Sequence, residues 1–112
     1  MDILEVNGLH VTTTIGVHAW EKQIKQKLLL DLKLHTSFED CNDTLTNTID
    51  YASLCKTVTD LLESTTFDLI ETVAEKVAIH INSEFNPSEI AIRVCKPHAI
   101  KNAASVCVSI QR

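Results

Sequence analysis

A lysine at the end of a strand is the first candidate for chemistry in this chain. Ile90, Ile92 and Val94 alternate as side chains do on the buried face of a strand. Lys96 is next in the same phase, and Pro97 should end the strand because it cannot donate a ladder hydrogen bond. Partial desolvation disfavours an ammonium ion, which would suit Lys96 to proton transfer. Taken alone, the spacing favours the alternative, a lysine whose charged group reaches water.

Three further polar residues are candidates for a site. Glu21 follows Trp20 in a loop, Tyr51 opens the first predicted helix, and Glu71 lies in the first turns of the second. Each also has a purely structural interpretation. Glu21 could be a solvated loop acid, Tyr51 could pack in the apolar stripe of its helix, and Glu71 could form a D-x-x-E capping box with Asp68. Judged singly, these structural interpretations are favoured.

The hydrophobic pattern predicts the elements that must position these residues. Period-two runs indicate strands, and apolar residues at helical spacing indicate helices. The predicted elements are strands at 3–16 and 25–37, a helix capped by Asp50 and broken at 64–66, a second helix from about 67 that is closed by 82–87, and strands at 88–96 and 105–110. Asn7-Gly8 predicts a bulge in the first strand.

The resulting β-β-α-α-β-β order predicts an α+β fold. Neighbouring strands joined by short connections should be antiparallel, with both helices covering one face of the sheet. We expect a single domain over residues 1–112, since this length suits one core. A domain this small has little room for a deep private pocket, and its two open sheet edges invite pairing with another subunit. A homo-oligomer with a shared cleft is therefore expected.

Composition narrows the class of protein. The net charge is −5 and no basic stripe occurs, so nucleic-acid binding is not expected. No apolar run approaches the length of a membrane span, and the first residues lack the charge order of a signal peptide. We therefore expect a cytoplasmic protein without a membrane partner.

The cysteines and histidines give no sign of a metal site. The four cysteines are widely spaced and form no C-x-x-C pair, so we expect free thiols in a reducing compartment. The five histidines show no H-x-x-x-H or H-x-H spacing. No metal and no cofactor is predicted.

Four stretches of the chain resemble, in order, the motifs of dihydroneopterin aldolases, which belong to the folate pathway. Each is weak alone, but four at the expected spacing are specific. They are Ile15–Leu28 (IGVHAWEKQIKQKL), Ile49–Ala52 (IDYA), Leu69–Glu75 (LIETVAE), and Lys96–Ala99 (KPHA) followed by Ala104–Val106 (ASV). One departure is His98, beside the candidate lysine, where it could tune access or proton affinity.

The resemblance implies a fold and an assembly. The family adopts the T-fold, or tunnelling fold, which has the β-β-α-α-β-β order already predicted from periodicity. Four subunits close their sheets into a barrel, and two such rings stack into an octamer. The active sites lie between adjacent subunits. This arrangement would solve the problem of pocket size.

The resemblance also implies a reaction. Family members cleave 7,8-dihydroneopterin by a retro-aldol reaction into 6-hydroxymethyl-7,8-dihydropterin and glycolaldehyde, without a Schiff base or metal. Glu71 and the backbone of Ile70 would bind the pterin. Lys96 would transfer protons with Tyr51, which would come from the neighbouring subunit. Glu21 would position the hydroxylated side chain of the substrate or tune Lys96. Inversion at the 2′ carbon would be a side activity.

Two alternatives remain open at this stage. One is dihydroneopterin triphosphate 2′-epimerase, a sibling with the same fold. The Lys96-Pro97 pair favours the aldolase, and the scarcity of basic residues argues against a triphosphate ligand. The other is a non-catalytic oligomeric module in which Lys96 and Glu71 form only a structural ion pair.

Overall fold

The computed structural model describes residues 1–112 and contains one five-stranded sheet. The strands are β1 (Asp2–Ile15), β2 (Gln26–Thr36), β3 (Thr66–Phe67), β4 (Glu89–Pro97) and β5 (Ser105–Gln111), and the helices are α1 (Tyr51–Glu63) and α2 (Ile70–Phe85). The spatial order of the strands is β3-β1-β2-β4-β5. All neighbours are antiparallel except β1 and β3, which are parallel. The predicted β-β-α-α-β-β order is confirmed, with β3 added between the helices.

The core lies between one face of the sheet and the two helices. Ile90, Ile92 and Val94 of β4 are buried there, as their alternation predicts. Nineteen buried apolar residues form one continuous cluster, drawn from β1, β2, β3, β4 and both helices. Both helices therefore cover the same face, as predicted, and the sheet's other face carries charged residues such as Asp31, Lys33 and Arg93.

The first strand bends where the sequence predicts a bulge. The pairing of β1 with β2 shifts register between Val6 and Leu9. Gly8 occupies this shift with φ +67°, a conformation that suits glycine. Its N–H donates to Oδ1 of Asp31 at 2.7 Å. The bulge prediction is confirmed.

The two helix starts differ in how well they were predicted. Asp50 caps α1 by accepting hydrogen bonds from the N–H groups of Ala52 and Ser53, as expected. By contrast, α2 begins at Ile70 rather than near residue 67, and its N-cap residue, Leu69, makes no side-chain cap. The carboxylate of Asp68 instead pairs with Lys22. The capping-box interpretation of Glu71 was therefore wrong.

Strand β3 was missed because two residues carry no periodicity. Thr66 and Phe67 pair with Thr14 and Ile15 at the end of β1. The N–H of Gly16 extends this contact by donating to the carbonyl of Phe67 at 3.0 Å. The β3 segment thus fixes the start of α2 beside the end of β1.

The prediction of free thiols was wrong for two of the four cysteines. Cys95 and Cys107 face each other across β4 and β5 and form a disulfide, whereas Cys41 and Cys55 are free. Their spacing of 12 residues does not reveal this pairing, because it depends on the register of the hairpin. Neither helix has the length and apolar character needed to cross a membrane.

Candidate active site

A cleft of about 400 Å³ opens at one end of the sheet. Because the strands alternate in direction, the ends of β1 and β4 and the starts of β2 and β5 lie together there. The start of α2 closes the same end. Among the residues that line the cleft are Glu21, Glu71, Lys96 and the buried Ile70. The fold thus brings four of the five predicted site residues into one cavity.

Lys96 and Glu21 form an ion pair inside the cleft. Nζ of Lys96 donates to Oε2 of Glu21 at 2.7 Å. The Lys96 side chain is 15% exposed and that of Glu21 is 5% exposed. Lys96 therefore does not simply reach bulk water, and its proton lies next to a fixed acceptor.

The chain around Glu21 explains why this acid is buried. A short 3₁₀ helix, Ala19–Gln23, turns the Glu21 side chain inward from the connection between β1 and β2. The backbone N–H of His18 donates to its Oε1 at 3.3 Å. The solvated-acid interpretation of Glu21 was wrong, because a loop residue's burial depends on how the loop folds back on the sheet.

Gln26, at the start of β2, is a site residue that sequence patterns missed. Its Nε2 donates to the carbonyl of Ile15 at 2.8 Å and to Oε2 of Glu21 at 3.1 Å. The hydrogen bond from Lys96 lowers the pKa of Glu21 most, followed by that from Gln26, and the pKa falls from the ordinary 4.5 to about 2. Glu21 is therefore a carboxylate at neutral pH, able to accept hydrogen bonds but not to donate a proton.

The start of α2 supplies a second polar group to the cleft. Glu71 is exposed at the second position of the helix, and its side chain makes no hydrogen bond or ion pair within the subunit. The N–H groups of Ile70 and Glu71 lie in the first turn of α2 and have no acceptor within the helix. Since Lys96 pairs with Glu21, the proposed structural ion pair between Lys96 and Glu71 does not form. Glu71 is free to bind a ligand.

Tyr51 lies outside this cleft. It opens α1 and is 66% exposed. The other end of α1 lies near the cleft, where Lys25 donates to the carbonyl of Glu63 at 3.2 Å. Thirteen helical residues span about 20 Å, so Tyr51 lies about that far from the end of α1 that is near the cleft. The structure does not bring Tyr51 together with the other predicted site residues of the same chain.

The rim of the cleft combines exposed apolar groups with an unusual backbone. Val17, Trp20 and Leu69 line the cleft and are 64%, 60% and 47% exposed. His98 also lines it, with φ 58°, a left-handed conformation that residues other than glycine adopt at a cost in free energy.

No group of three His, Cys, Asp or Glu residues is placed to hold a metal ion.

Comparison with known proteins agrees with this geometry. A sequence profile described as dihydroneopterin aldolase matches residues 4–111. Dihydroneopterin aldolase of Escherichia coli strain K12 is 38% identical over 114 aligned positions, covering all of this chain and 93% of the relative. The Haemophilus influenzae enzyme of the same name is 36% identical, covering all of this chain and 97% of the relative.

A solved structure extends the likeness to three dimensions. The crystal structure of E. coli dihydroneopterin aldolase in complex with neopterin superposes with a TM-score of 0.97, at 38% identity, covering all of this chain and 99% of that one. The profile match spans nearly the whole sequence, and the shared fold extends from end to end. The chain therefore belongs to the dihydroneopterin aldolase family.

Proposed function

We propose that this protein is a 7,8-dihydroneopterin aldolase of folate biosynthesis. It cleaves its substrate into 6-hydroxymethyl-7,8-dihydropterin and glycolaldehyde. The observation that carries this proposal is the Lys96–Glu21 pair, with Nζ and Oε2 2.7 Å apart, in a cleft that also presents an unpaired carboxylate at the start of α2. The Lys96–Glu21 pair can move protons, while Glu71 at the start of α2 can hold a polar ring.

The start of α2 is the proposed binding end of the cleft. A pterin ring presents a guanidine-like edge with adjacent N–H donors, and the unpaired carboxylate of Glu71 can accept two of them at once. The backbone at Ile70 contributes hydrogen bonds to the same ring, since its N–H begins α2 and has no acceptor within the helix. These contacts form before any bond breaks, so they set affinity more than rate.

Lys96 is the proposed acid–base residue. Cleavage of the bond between C1′ and C2′ requires loss of the 2′-hydroxyl proton and a site that accepts the bond electrons. The C=N bond of dihydropterin is next to the side chain, and protonating its nitrogen provides that site. The resulting enol then gains a proton at C1′ as the nitrogen loses its own. Positioned proton transfer is sufficient for these steps, so neither a Schiff base nor a metal is required.

Glu21 is proposed to hold the Lys96 ammonium in place. Because its pKa is lowered to about 2, chiefly by the hydrogen bond from Lys96, Glu21 stays ionised throughout the neutral range. A permanent carboxylate cannot deliver the proton to the enol. It can fix the direction of the Lys96 proton and accept a hydrogen bond from a substrate hydroxyl.

Tyr51 is proposed to reach the cleft of a neighbouring subunit. The apolar rim of Val17, Trp20 and Leu69 is exposed in one subunit, which suits coverage by another chain. Tyr51 is exposed at the start of α1, away from the cleft of its own subunit, so a ring in which each subunit's α1 start meets the next subunit's cleft would unite the two. The assembly proposed is a four-subunit barrel, paired as an octamer, in the cytoplasm.

Turnover assays test the proposed reaction directly. The purified protein is incubated with 7,8-dihydroneopterin or its triphosphate, and the pterin products and glycolaldehyde are separated by chromatography. We expect release of glycolaldehyde from dihydroneopterin, with slower inversion at C2′ because the fragments can rejoin on the other face. If neither compound releases glycolaldehyde, the aldolase proposal is wrong.

A mixing experiment tests the shared site. Lys96→Met and Tyr51→Ala subunits, each with little activity alone, are unfolded together and refolded as mixed oligomers. If sites are shared, some interfaces combine an intact Lys96 with an intact Tyr51, and activity returns. Mixed oligomers, verified by mass spectrometry of the intact assembly, that remain inactive would contradict a shared site.

A further inference from the structure

Gly16 lies directly against the carboxylate of Glu21. It is buried at the end of β1 and has φ +135°, a conformation that favours glycine. A Cβ atom placed on Gly16 would lie 2.1 Å from Cδ of Glu21 and 2.3 Å from each carboxylate oxygen. Non-bonded carbon atoms normally approach to about 3.5–4 Å. The carboxylate therefore occupies space that any other residue at position 16 would fill.

Neither partner in this contact can easily move away. Glu21 is held by the side chains of Lys96 and Gln26 and by the N–H of His18. The N–H of Gly16 donates to the carbonyl of Phe67 at 3.0 Å. Shifting either residue would break hydrogen bonds in a buried region, which costs free energy.

We infer that Gly16 is a positioning residue for the Lys96–Glu21 pair, a role that rests on the proposed function. The absence of a side chain at Gly16 lets the Glu21 carboxylate lie 2.7 Å from Nζ of Lys96 while it still accepts from Gln26. Gly16 lines the cleft with backbone atoms only and has no side chain that could take part in proton transfer. It acts on the reaction through Glu21.

The chain offers a matched control for this inference. Gly8 also has positive φ, +67°, but a Cβ built there meets no atom within 4 Å. Gly8→Ala therefore introduces backbone strain without a collision, whereas Gly16→Ala introduces both. We expect Gly16→Ala to lower kcat about 100-fold, the scale set by a misplacement of about 1 Å. Gly8→Ala should keep kcat within about threefold of wild type, because Gly8 lies outside the cleft.

Binding measurements separate positioning from general damage. Glu71 lies on α2, so the dissociation constant for 6-hydroxymethylpterin, which lacks the triol that Glu21 could contact, should stay within about threefold of wild type in Gly16→Ala. A collapse of the cleft would weaken binding of this pterin and lower kcat together. Such a joint loss, or a wild-type kcat in Gly16→Ala, would overturn the inference.

A double-mutant cycle tests whether Gly16 acts through Glu21. In a Glu21→Ala background the colliding carboxylate is absent, so adding Gly16→Ala should lower kcat by less than about threefold. An equal loss in both backgrounds would show that Gly16 acts independently of Glu21. Should Gly16→Ala fail to fold, the double variant is expected to fold because the collision is removed, and an unfolded double variant would refute the inference.

The same cycle separates this inference from the proposed reaction. Melting temperatures need no substrate, and the collision predicts that Gly16→Ala destabilises the wild type more than it destabilises Glu21→Ala. If the protein cleaves no dihydroneopterin but this non-additivity is found, the proposed reaction fails while the contact is upheld. Additive melting temperatures would contradict the contact itself.

Discussion

Lys96→Met tests the proposed acid–base residue with little change in packing. Methionine keeps an unbranched apolar stem but removes the ammonium group. No other lysine or arginine lines the cleft, and the nearby Lys22 is already paired with Asp68. Positioned acid–base groups contribute about 10²–10⁴-fold, so we expect kcat to fall about 1,000-fold, which is about 4 kcal/mol in the activation barrier.

The same change should destabilise the fold only modestly. It leaves the carboxylate of Glu21 without its strongest partner, a loss that costs about 3–5 kcal/mol for a fully buried pair. Because the cleft is open and Gln26 and His18 still donate to Glu21, we expect about 1–2 kcal/mol. Urea unfolding measures this, with exposed Lys101→Met as the control for removing a positive charge from the same hairpin.

The rate assay for Lys96→Met is release of glycolaldehyde at saturating dihydroneopterin. If Lys96→Met retains more than a tenth of the wild-type kcat, Lys96 is not the acid–base residue. Borohydride treatment of the wild-type enzyme during turnover adds a second test. An adduct on Lys96, found by mass spectrometry, would mean that the lysine forms a Schiff base and would refute the mechanism.

Four further predictions concern binding and stability. Glu71→Gln should raise the dissociation constant for neopterin about tenfold by calorimetry, with an unchanged melting temperature, because Glu71 has no partner within the subunit. Because Lys96, and then Gln26, lower the pKa of Glu21 from 4.5 to about 2, its stabilisation is complete above pH 4.5 and is lost as the pH falls through 2. The stability advantage of wild type over Glu21→Gln should therefore shrink over that range in pH-dependent thermal melts. Cys107→Ser should lower the free energy of unfolding by about 2–3 kcal/mol under oxidising conditions, and dithiothreitol should abolish the difference. His98→Gly should raise the free energy of unfolding by about 1 kcal/mol, since glycine adopts φ 58° without strain, and an unchanged or lower urea midpoint would contradict this.

The sequence predicts those elements of the fold whose apolar residues recur at a regular spacing. The alternation that ends in Lys96 identified both β4 and the inward direction of the lysine, because side chains in a strand change face at every residue. The helical spacing after Asp50 identified α1 for a similar reason. Neither inference needed knowledge of distant contacts.

The features that the sequence did not reveal all depend on distant contacts. β3 forms because Thr66 and Phe67 pair with the end of β1. The disulfide forms because the pairing of β4 with β5 places Cys95 directly opposite Cys107. For the same reason α2 starts at Ile70, later than predicted. Phe67 pairs with β1 and Asp68 pairs with Lys22, so neither residue enters the helix. Local propensity is a weak guide wherever tertiary contacts compete with it.

The burial of Glu21 shows why the site was only partly predictable. A carboxylate in a polar loop has no periodicity, and a loop acid is usually exposed. It is buried here because three donors compensate its desolvation: Lys96 of β4, Gln26 at the start of β2, and the N–H of His18 in the loop itself. The same donors keep Glu21 ionised beside the lysine that is proposed to transfer protons. Burial and function therefore have one cause, the convergence of one distant donor and two nearby donors on a single acid.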